Sequence, residues 1–487
     1  MPWGEVDARH PKRVLFVPNY GMVSGIRDSN FLVMFDFWQY LSKTVGCFGY
    51  WLVPVEHENE LREFLGPKHE VIPFDSGRLD YWAAATSIDM RKIYELFNRG
   101  AGKYTIDFVF TSKEIVLSFQ IALCRAAMQR YVPVVMFEPQ SSYMGAKVQG
   151  LAWHYCAMAG NCYAMQIVLN SHEKRLRTRM AKEYLSGQMM QKFNENIYVS
   201  GLEVPMALID QEIKGIKKND LFTMIYGGRL NSIKKPSTIY QVFSHISEIG
   251  MDCKILLSSG MVNAKIGIAL KKELKRNPNI EIHSEMDRAG FWKLSAQSHV
   301  FCCNSSHESF GLGFLEQLYC GAVGVFPRND WVLSILPNWY PFLHRGRQEM
   351  FTYVKWIHDN YDIAQNFLSR MRHHIEKEYN ARKVWGGVLK KMYDLFGRQF
   401  TYRLGGKVQE LILECVDQLG EEFYFDNLLT KMEKNATSAF IKDLSVRSQT
   451  VKLPSNYDIR MFLQSCGYVD LCDNKVMRFR KVVGNED

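Results

Sequence analysis

Short apolar segments rich in valine, isoleucine and phenylalanine alternate with longer helix-like stretches along most of this chain, in two successive series. The first series has expected strands at Arg13–Val17, Phe48–Val55, Val71–Phe74, Asp107–Thr111, Val132–Phe137, Gln166–Leu169 and Ile197–Val199. Its expected helices are Ser29–Lys43, Ser87–Asn98, Lys113–Arg130 and the basic Glu173–Gln188. After the polar stretch 213–220 a second series follows, with strands at Phe222–Tyr226, Cys253–Ser258, Ile280–His283, Val300–Asn304 and Ala322–Phe326 and helices between them. Such alternation predicts an α/β chain with parallel sheets covered on both faces. Two doubly wound, Rossmann-like domains are therefore expected to face a cleft onto which the C-terminal ends of their strands open. The expected boundaries are 1–205, completed by a returning helix at 382–397, then 206–381, with a separate small unit at 401–487.

A length of 487 residues exceeds one ordinary core and fits about three folding units. Apolar residues at 47% and charged residues at 23% exclude disordered and collagen-like classes. The first residues are acidic where a signal peptide would be basic, and the apolar stretch Leu151–Leu169 is broken by His154, Gly160, Asn161 and Gln166. The expectation is therefore a protein without secretion signal or membrane span, in the cytoplasm. Eleven cysteines without a Cys-x-x-Cys pair read as reduced thiols. His154, Cys156 and Cys162 read as buried small residues rather than a metal cluster. No metal and no resident cofactor is expected.

The net charge is +9, and residues 401–487 carry 12 basic against 13 acidic side chains, so the positive excess belongs to the first 400 residues. Basic clusters stand at Lys174–Arg179, Lys271–Arg276 and His344–Arg347. Each alone reads as a solvated face, but together they make a polyanionic partner plausible.

Two patterns in the second series carry chemistry. In Tyr226-Gly227-Gly228-Arg229 through Lys234, a strand ends in two glycines that let backbone approach a ligand, and Arg229 and Lys234 can set positive charge on a diphosphate. Taken alone, that pattern is also what a turn with a surface arginine looks like. In Ser305-Ser306-His307-Glu308-Ser309-Phe310-Gly311-Leu312-Gly313-Phe314-Leu315-Glu316, a glycine-bearing loop opens a helix expected at Phe314–Tyr319. Amides at such a helix start form an anion site. Glu308 and Glu316 can each accept bonds from vicinal hydroxyls. The plainer alternative is an acidic cap followed by a solvated helix residue.

On these residues the chain resembles the retaining family-4 glycosyltransferases of GT-B fold, over roughly Lys12 to Gly397. Two glutamates separated by seven residues within Ser-x-x-Glu-x-Phe-Gly match that family's signature. The resemblance implies Glu308 near the donor sugar hydroxyls, Glu316 on the ribose hydroxyls, and the amides of Phe310, Gly311 and Leu312 on the phosphates with Gly228, Arg229 and Lys234. Gly201–Pro205 looks like the family's interdomain element. The phosphate loop after the first strand departs from the family, leaving Gly25 as the candidate for close donor approach. The family histidine after Val132–Phe137 is replaced by Glu138-Pro139-Gln140. His154 is a candidate substitute on the catalytic face, its plainer reading being a core residue.

The last residues read as helix Lys407–Leu419, strand Phe423–Phe425, helix Asp426–Lys434, a helix from Pro454 to Gly467, and a hairpin of Tyr468–Leu471 and Val476–Phe479. That order suggests a winged helix. Candidate nucleic-acid contacts are Lys174, Arg175, Arg177 and Arg179 in the core and Arg460, Lys475 and Arg478 in the tail. A basic transferase core with a winged helix resembles phage enzymes that glycosylate modified bases in DNA. The functional expectation is transfer of a sugar from a nucleotide sugar, UDP-sugar foremost, to a hydroxymethylated pyrimidine in DNA. The alternative is a glycan, lipid or protein acceptor, with the tail serving protein assembly and a homo-oligomer as a further expected state.

Overall fold

The computed structural model describes residues 12–18, 29–66, 69–74, 106–112, 133–137, 164–227, 253–259, 280–284, 287–306, 308–396, 406–420, 422–424, 426–428, 430–432, 468–473 and 476–481, with isolated positions at 92, 95–96, 235, 237–238, 241–242, 244–245 and 463. The strands of the first series are β1 Lys12–Val17, β2 Cys47–Pro54, β3 His69–Phe74, β4 Phe108–Thr111, β5 Val134–Phe137, β6 Met165–Val168 and β7 Ile197–Val199. Its helices are α1 Ser29–Thr44, α2 Glu58–Leu65, α3 Ser171–Tyr184 and α4 Gly187–Asn196. A linking helix, α5 Met206–Glu212, leads to the second series: β8 Phe222–Gly227, β9 Cys253–Ser259, β10 Ile280–Ser284, α6 Arg288–Gln297, β11 Val300–Cys302, α7 Leu312–Cys320, β12 Val323–Pro327, α8 Asp330–Leu333 and β13 Leu343–His344. Three long helices close it: α9 Arg347–Asp359, α10 Tyr361–Glu378 and α11 Ala381–Phe396.

The strands form one seven-stranded sheet in the order β3-β2-β1-β4-β5-β6-β7 and one six-stranded sheet in the order β10-β9-β8-β11-β12-β13. The recorded pairings within both are parallel, with Val14 opposite Gly49 and Phe108 in one and Ile225 opposite Leu256 and Phe301 in the other. Each order starts in the middle, winds to one edge and returns to wind to the other, which is the doubly wound arrangement with a switch point beside the first strand. The inner strands β4, β5, β6 and β11 are buried end to end and β8 over all but its last residue, as sheets covered on both faces require. By internal contacts the described residues gather into two compact units, one drawn from 1–136, 162–165 and 390–487 and the other from 137–161 and 166–389.

The basic helix expected at Glu173–Gln188 is two helices. It starts earlier, at an Asn170 cap whose Oδ1 accepts the Glu173 amide at 2.8 Å, and it stops at extended Leu185 and Ser186 before Gly187 at φ 52° opens the next. The expected helices 87–98 and 113–130 lie outside the described residues apart from 92, 95 and 96. No helix among the described residues is long and apolar enough to cross a membrane.

The tail holds α12 Gly406–Asp417, β14 Glu422–Tyr424, helical residues at 426–428 and 430–432, β15 Tyr468–Asp473 and β16 Val476–Lys481. β15 and β16 are the expected hairpin, paired Tyr468 to Lys481 through Asp473 to Val476. β16 also pairs with β14, so the antiparallel sheet runs β14-β16-β15.

Candidate active site

β8 and β11 are neighbours at the switch point of the second sheet, Met224 opposite Val300 and Ile225 opposite Phe301. The two motifs picked out by the sequence leave from the C-terminal ends of these two adjacent strands, where doubly wound sheets bind ligands. Asn304 reinforces the junction by donating from Nδ2 to Thr238 Oγ1 at 2.9 Å, which ties the start of the second motif to the helix that follows the first. Between them, Lys235 adopts a left-handed φ of 45°. A lysine in that region is uncommon.

Gly227 has a packing reason for its small size. A Cβ there would clash with the ring of Phe291, a residue of α6, so the aromatic ring occupies the space over the strand end. The close approach read from the sequence is, at this glycine, an approach of ring to backbone.

The loop after β11 is anchored from several sides. Ser305 is buried, and its carbonyl accepts from Trp331 Nε1 and Asn329 Nδ2, both at 3.4 Å, while its hydroxyl donates to Glu308 Oε1. The Asn170 amide group donates to the carbonyl of Ser309, so the cap of α3 also holds the residue next to Glu308. Burial raises the Tyr226 phenol far above its ordinary value, with the charges of Cys303 and Glu308 adding to it, so it stays protonated at the end of β8. Phe310 packs edge-on to Tyr379 at 5.4 Å.

Gly311 caps α7 at φ 78°, and a Cβ would meet Phe314 at 3.0 Å and Trp331 at 3.1 Å. Both the backbone angle and the space therefore require glycine. The first helical bond is from the Phe314 amide to the Gly311 carbonyl at 2.9 Å, which leaves the amides before it pointing out of the helix start. The helix begins at Leu312, two residues before the expected Phe314.

Glu316 is not a solvated helix residue: it is 3% exposed. Arg288 donates to Oε1 through both Nε, at 3.1 Å, and Nη2, and Trp292 Nε1 donates to Oε2 at 3.0 Å. A buried carboxylate without such partners would be strongly unfavourable. Arg288 and Trp292 were not singled out in the sequence. Asp287, which caps α6 by accepting the Gly290 amide at 2.7 Å, marks where that helix starts but gives no sign of which neighbour its first turn reaches.

Among the basic residues of α3, Arg175 and Arg179 are exposed and Lys174 is half-buried. Arg177 is 3% exposed and donates to Gln166 Oε1 at 3.4 Å, which corrects its assignment to a nucleic-acid surface: the helix turns this position onto the sheet. His172 lies 3.5 Å from Asp330, and burial lowers its pKa while Asp330 raises it. Gly25, His154, Cys156, Cys162, Gly228, Arg229, Lys234, Arg460 and Lys475 lie outside the described residues, as does the side chain of Arg478.

Two parallel sheets of doubly wound order, the second carrying a glycine-capped helix with a buried glutamate, have the architecture of the GT-B glycosyltransferases. Residues 209–331 match the family described as Glycosyl transferases group 1, a span that holds both motifs. None of the curated protein sequences matches the chain. Among solved structures, the chain is similar to sucrose-phosphate synthase from Thermosynechococcus elongatus, at TM-score 0.59 and 13% identity over 80% of this chain and 100% of that one. It is also similar to Anabaena HepE in complex with UDP and glucose, at TM-score 0.59 and 12% identity over 79% and 99%. The lipopolysaccharide outer core galactosyltransferase WaaB follows, at 0.54 and 11% over 78% and 99%.

Proposed function

We propose that this transferase is retaining and moves a hexose or pentose from a nucleotide diphosphate, a UDP-sugar foremost, to a hydroxyl acceptor. The carrying observation is the convergence of the two motifs on the adjacent ends of β8 and β11. In this reading the amides of Phe310, Gly311 and Leu312, with Arg229 and Lys234, take the diphosphate. Glu308 takes the sugar hydroxyls and Glu316 the ribose. Positive charge and helix-start amides stabilise the negative charge that grows on the leaving diphosphate. The likeness to HepE, whose structure holds UDP and glucose, supports the uridine donor. Arg229→Ala and Lys234→Ala are each expected to slow transfer by about 2–4 kcal/mol of transition-state stabilisation. Unchanged turnover in both would remove the donor assignment.

For the acceptor the reading is a hydroxymethylated pyrimidine in duplex DNA, flipped out of the stack. The tail supports it: β14 pairs with β16 beside the β15–β16 hairpin, which is compatible with the winged helix expected from the order helix, strand, helix, helix, hairpin, whose helix from Pro454 to Gly467 lies outside the described residues apart from 463. Exposed Arg175 and Arg179 supply phosphate contacts. A glycan acceptor is the second reading, favoured by the likeness to WaaB. Assays with a panel of nucleotide sugars on modified duplex, unmodified duplex and a polysaccharide separate the two. Transfer to the modified duplex alone supports DNA, and transfer to the polysaccharide alone supports the glycan.

A further inference from the structure

Glu316 has about four acceptor positions on its two oxygens, as any carboxylate does. Among the described residues three donors reach it: Nε and Nη2 of Arg288 on Oε1, and Trp292 Nε1 on Oε2. One position on Oε2 is left. A ribose offers two vicinal hydroxyls, and a carboxylate with both oxygens open can take both. This one cannot while Arg288 stays in place. The guanidinium is well placed to stay: it begins the first turn of α6, lies 5.2 Å over the Trp292 ring, and gains a charge-assisted pair with a carboxylate that burial would otherwise penalise.

We propose that Arg288 is a specificity-determining residue of the nucleotide site, which restricts Glu316 to a single ribose hydroxyl. The inference rests on the reading that puts Glu316 on the ribose. Its consequence is an asymmetric reading of the sugar, in which one ribose hydroxyl is held by a charge-assisted bond and the other is not. Arg288 acts through Glu316, so its signature is a change in ribose selectivity and not merely in affinity.

The test is calorimetry on the full chain. Whichever of UDP, ADP, GDP and CDP binds most tightly is titrated beside its 2′-deoxy and 3′-deoxy forms. One deoxy form is expected to bind about tenfold or more weakly, the scale of one hydrogen bond to a charged group, and the other within about threefold of the parent. Arg288→Gln opens Oε1, so both deoxy forms should then bind more weakly than the parent. Trp292→Phe, which opens Oε2, should do the same without touching the arginine. Glu316→Gln should weaken the parent nucleotide and flatten the difference. Equal losses for the two deoxy forms in the unaltered protein, with Glu316→Gln still weakening the parent, would overturn the role of Arg288 and keep Glu316 on the ribose. An unchanged parent affinity in Glu316→Gln, or no binding of any of the four diphosphates, would overturn the reading beneath it. The comparison of deoxy forms needs no variant, so a failure of Arg288→Gln to fold leaves the proposal open to refutation.

Discussion

Glu308 and Glu316 stand seven residues apart in between, yet their surroundings differ: Glu308 is half-buried on a loop beside Ser305, and Glu316 is buried under Arg288 and Trp292. Glu316→Gln should therefore weaken nucleotide diphosphate binding whatever sugar the donor carries, while Glu308→Gln should chiefly weaken the sugar-bearing donor. Calorimetry with UDP and with UDP-sugar distinguishes them, and equal losses for both variants would reverse the orientation. A second residue, His299, contributes to the pH dependence of stability. Its Nδ1 accepts the Thr223 amide at 3.0 Å, and burial, with Lys218 and His358 nearby, lowers its pKa to about 4 from an ordinary 6.5. As pH falls below 6.5 the unfolded chain takes up a proton that the folded chain refuses, so stability present above 6.5 is lost progressively toward pH 4. His299→Asn, which keeps an acceptor but does not titrate, should flatten the melting temperature over that range. The same slope in both proteins would exclude the histidine as its source.

Elements set the site through their ends. The start of α7 depends on Gly311, where alanine would face both an unfavourable φ and contact with Phe314 and Trp331. Gly311→Ala is expected to cost about 2 kcal/mol or more of stability and to slow transfer, measured by denaturant unfolding and by turnover. At the end of β8, Gly227→Ala would push into the Phe291 ring and cost about 1–3 kcal/mol. Phe291→Leu should relieve much of that in the double variant. Additive losses would show that the ring is not the obstacle. Asn170 caps α3 by accepting the Glu173 amide, where the sequence pattern placed the helix start at Glu173 itself. Its second bond, to Ser309, joins positions 139 apart and no local pattern announces it.

At the scale of the whole molecule, the described strands form two doubly wound sheets and one small antiparallel sheet. The DNA reading makes a quantitative demand on the surface. If Arg175 and Arg179 contact phosphates, Arg175→Gln with Arg179→Gln should flatten the dependence of log affinity on log salt by about two, close to one per phosphate. Arg177→Gln should leave that slope alone and lower the melting temperature, because its guanidinium is buried against Gln166. No binding to duplex at low salt would turn the assignment toward a glycan acceptor.

The alternation of apolar strands and helices determined the two parallel sheets, since only segments buried on both faces are apolar throughout and only crossover helices can join them. Glycines at the strand ends and two glutamates at fixed spacing located the second sheet's motifs, because backbone conformation and local charge are properties of short stretches of chain. Tertiary structure alone decided what those residues meet. The sequence offered Arg177 as equal to its basic neighbours, and helix rotation buried it. It offered Glu316 as an acceptor of unspecified capacity, and Arg288, 28 positions earlier, took up half of that capacity. Contacts between residues far apart in sequence depend on how elements pack, and nothing in a local pattern encodes which side chain a turn of one helix will deliver to the next.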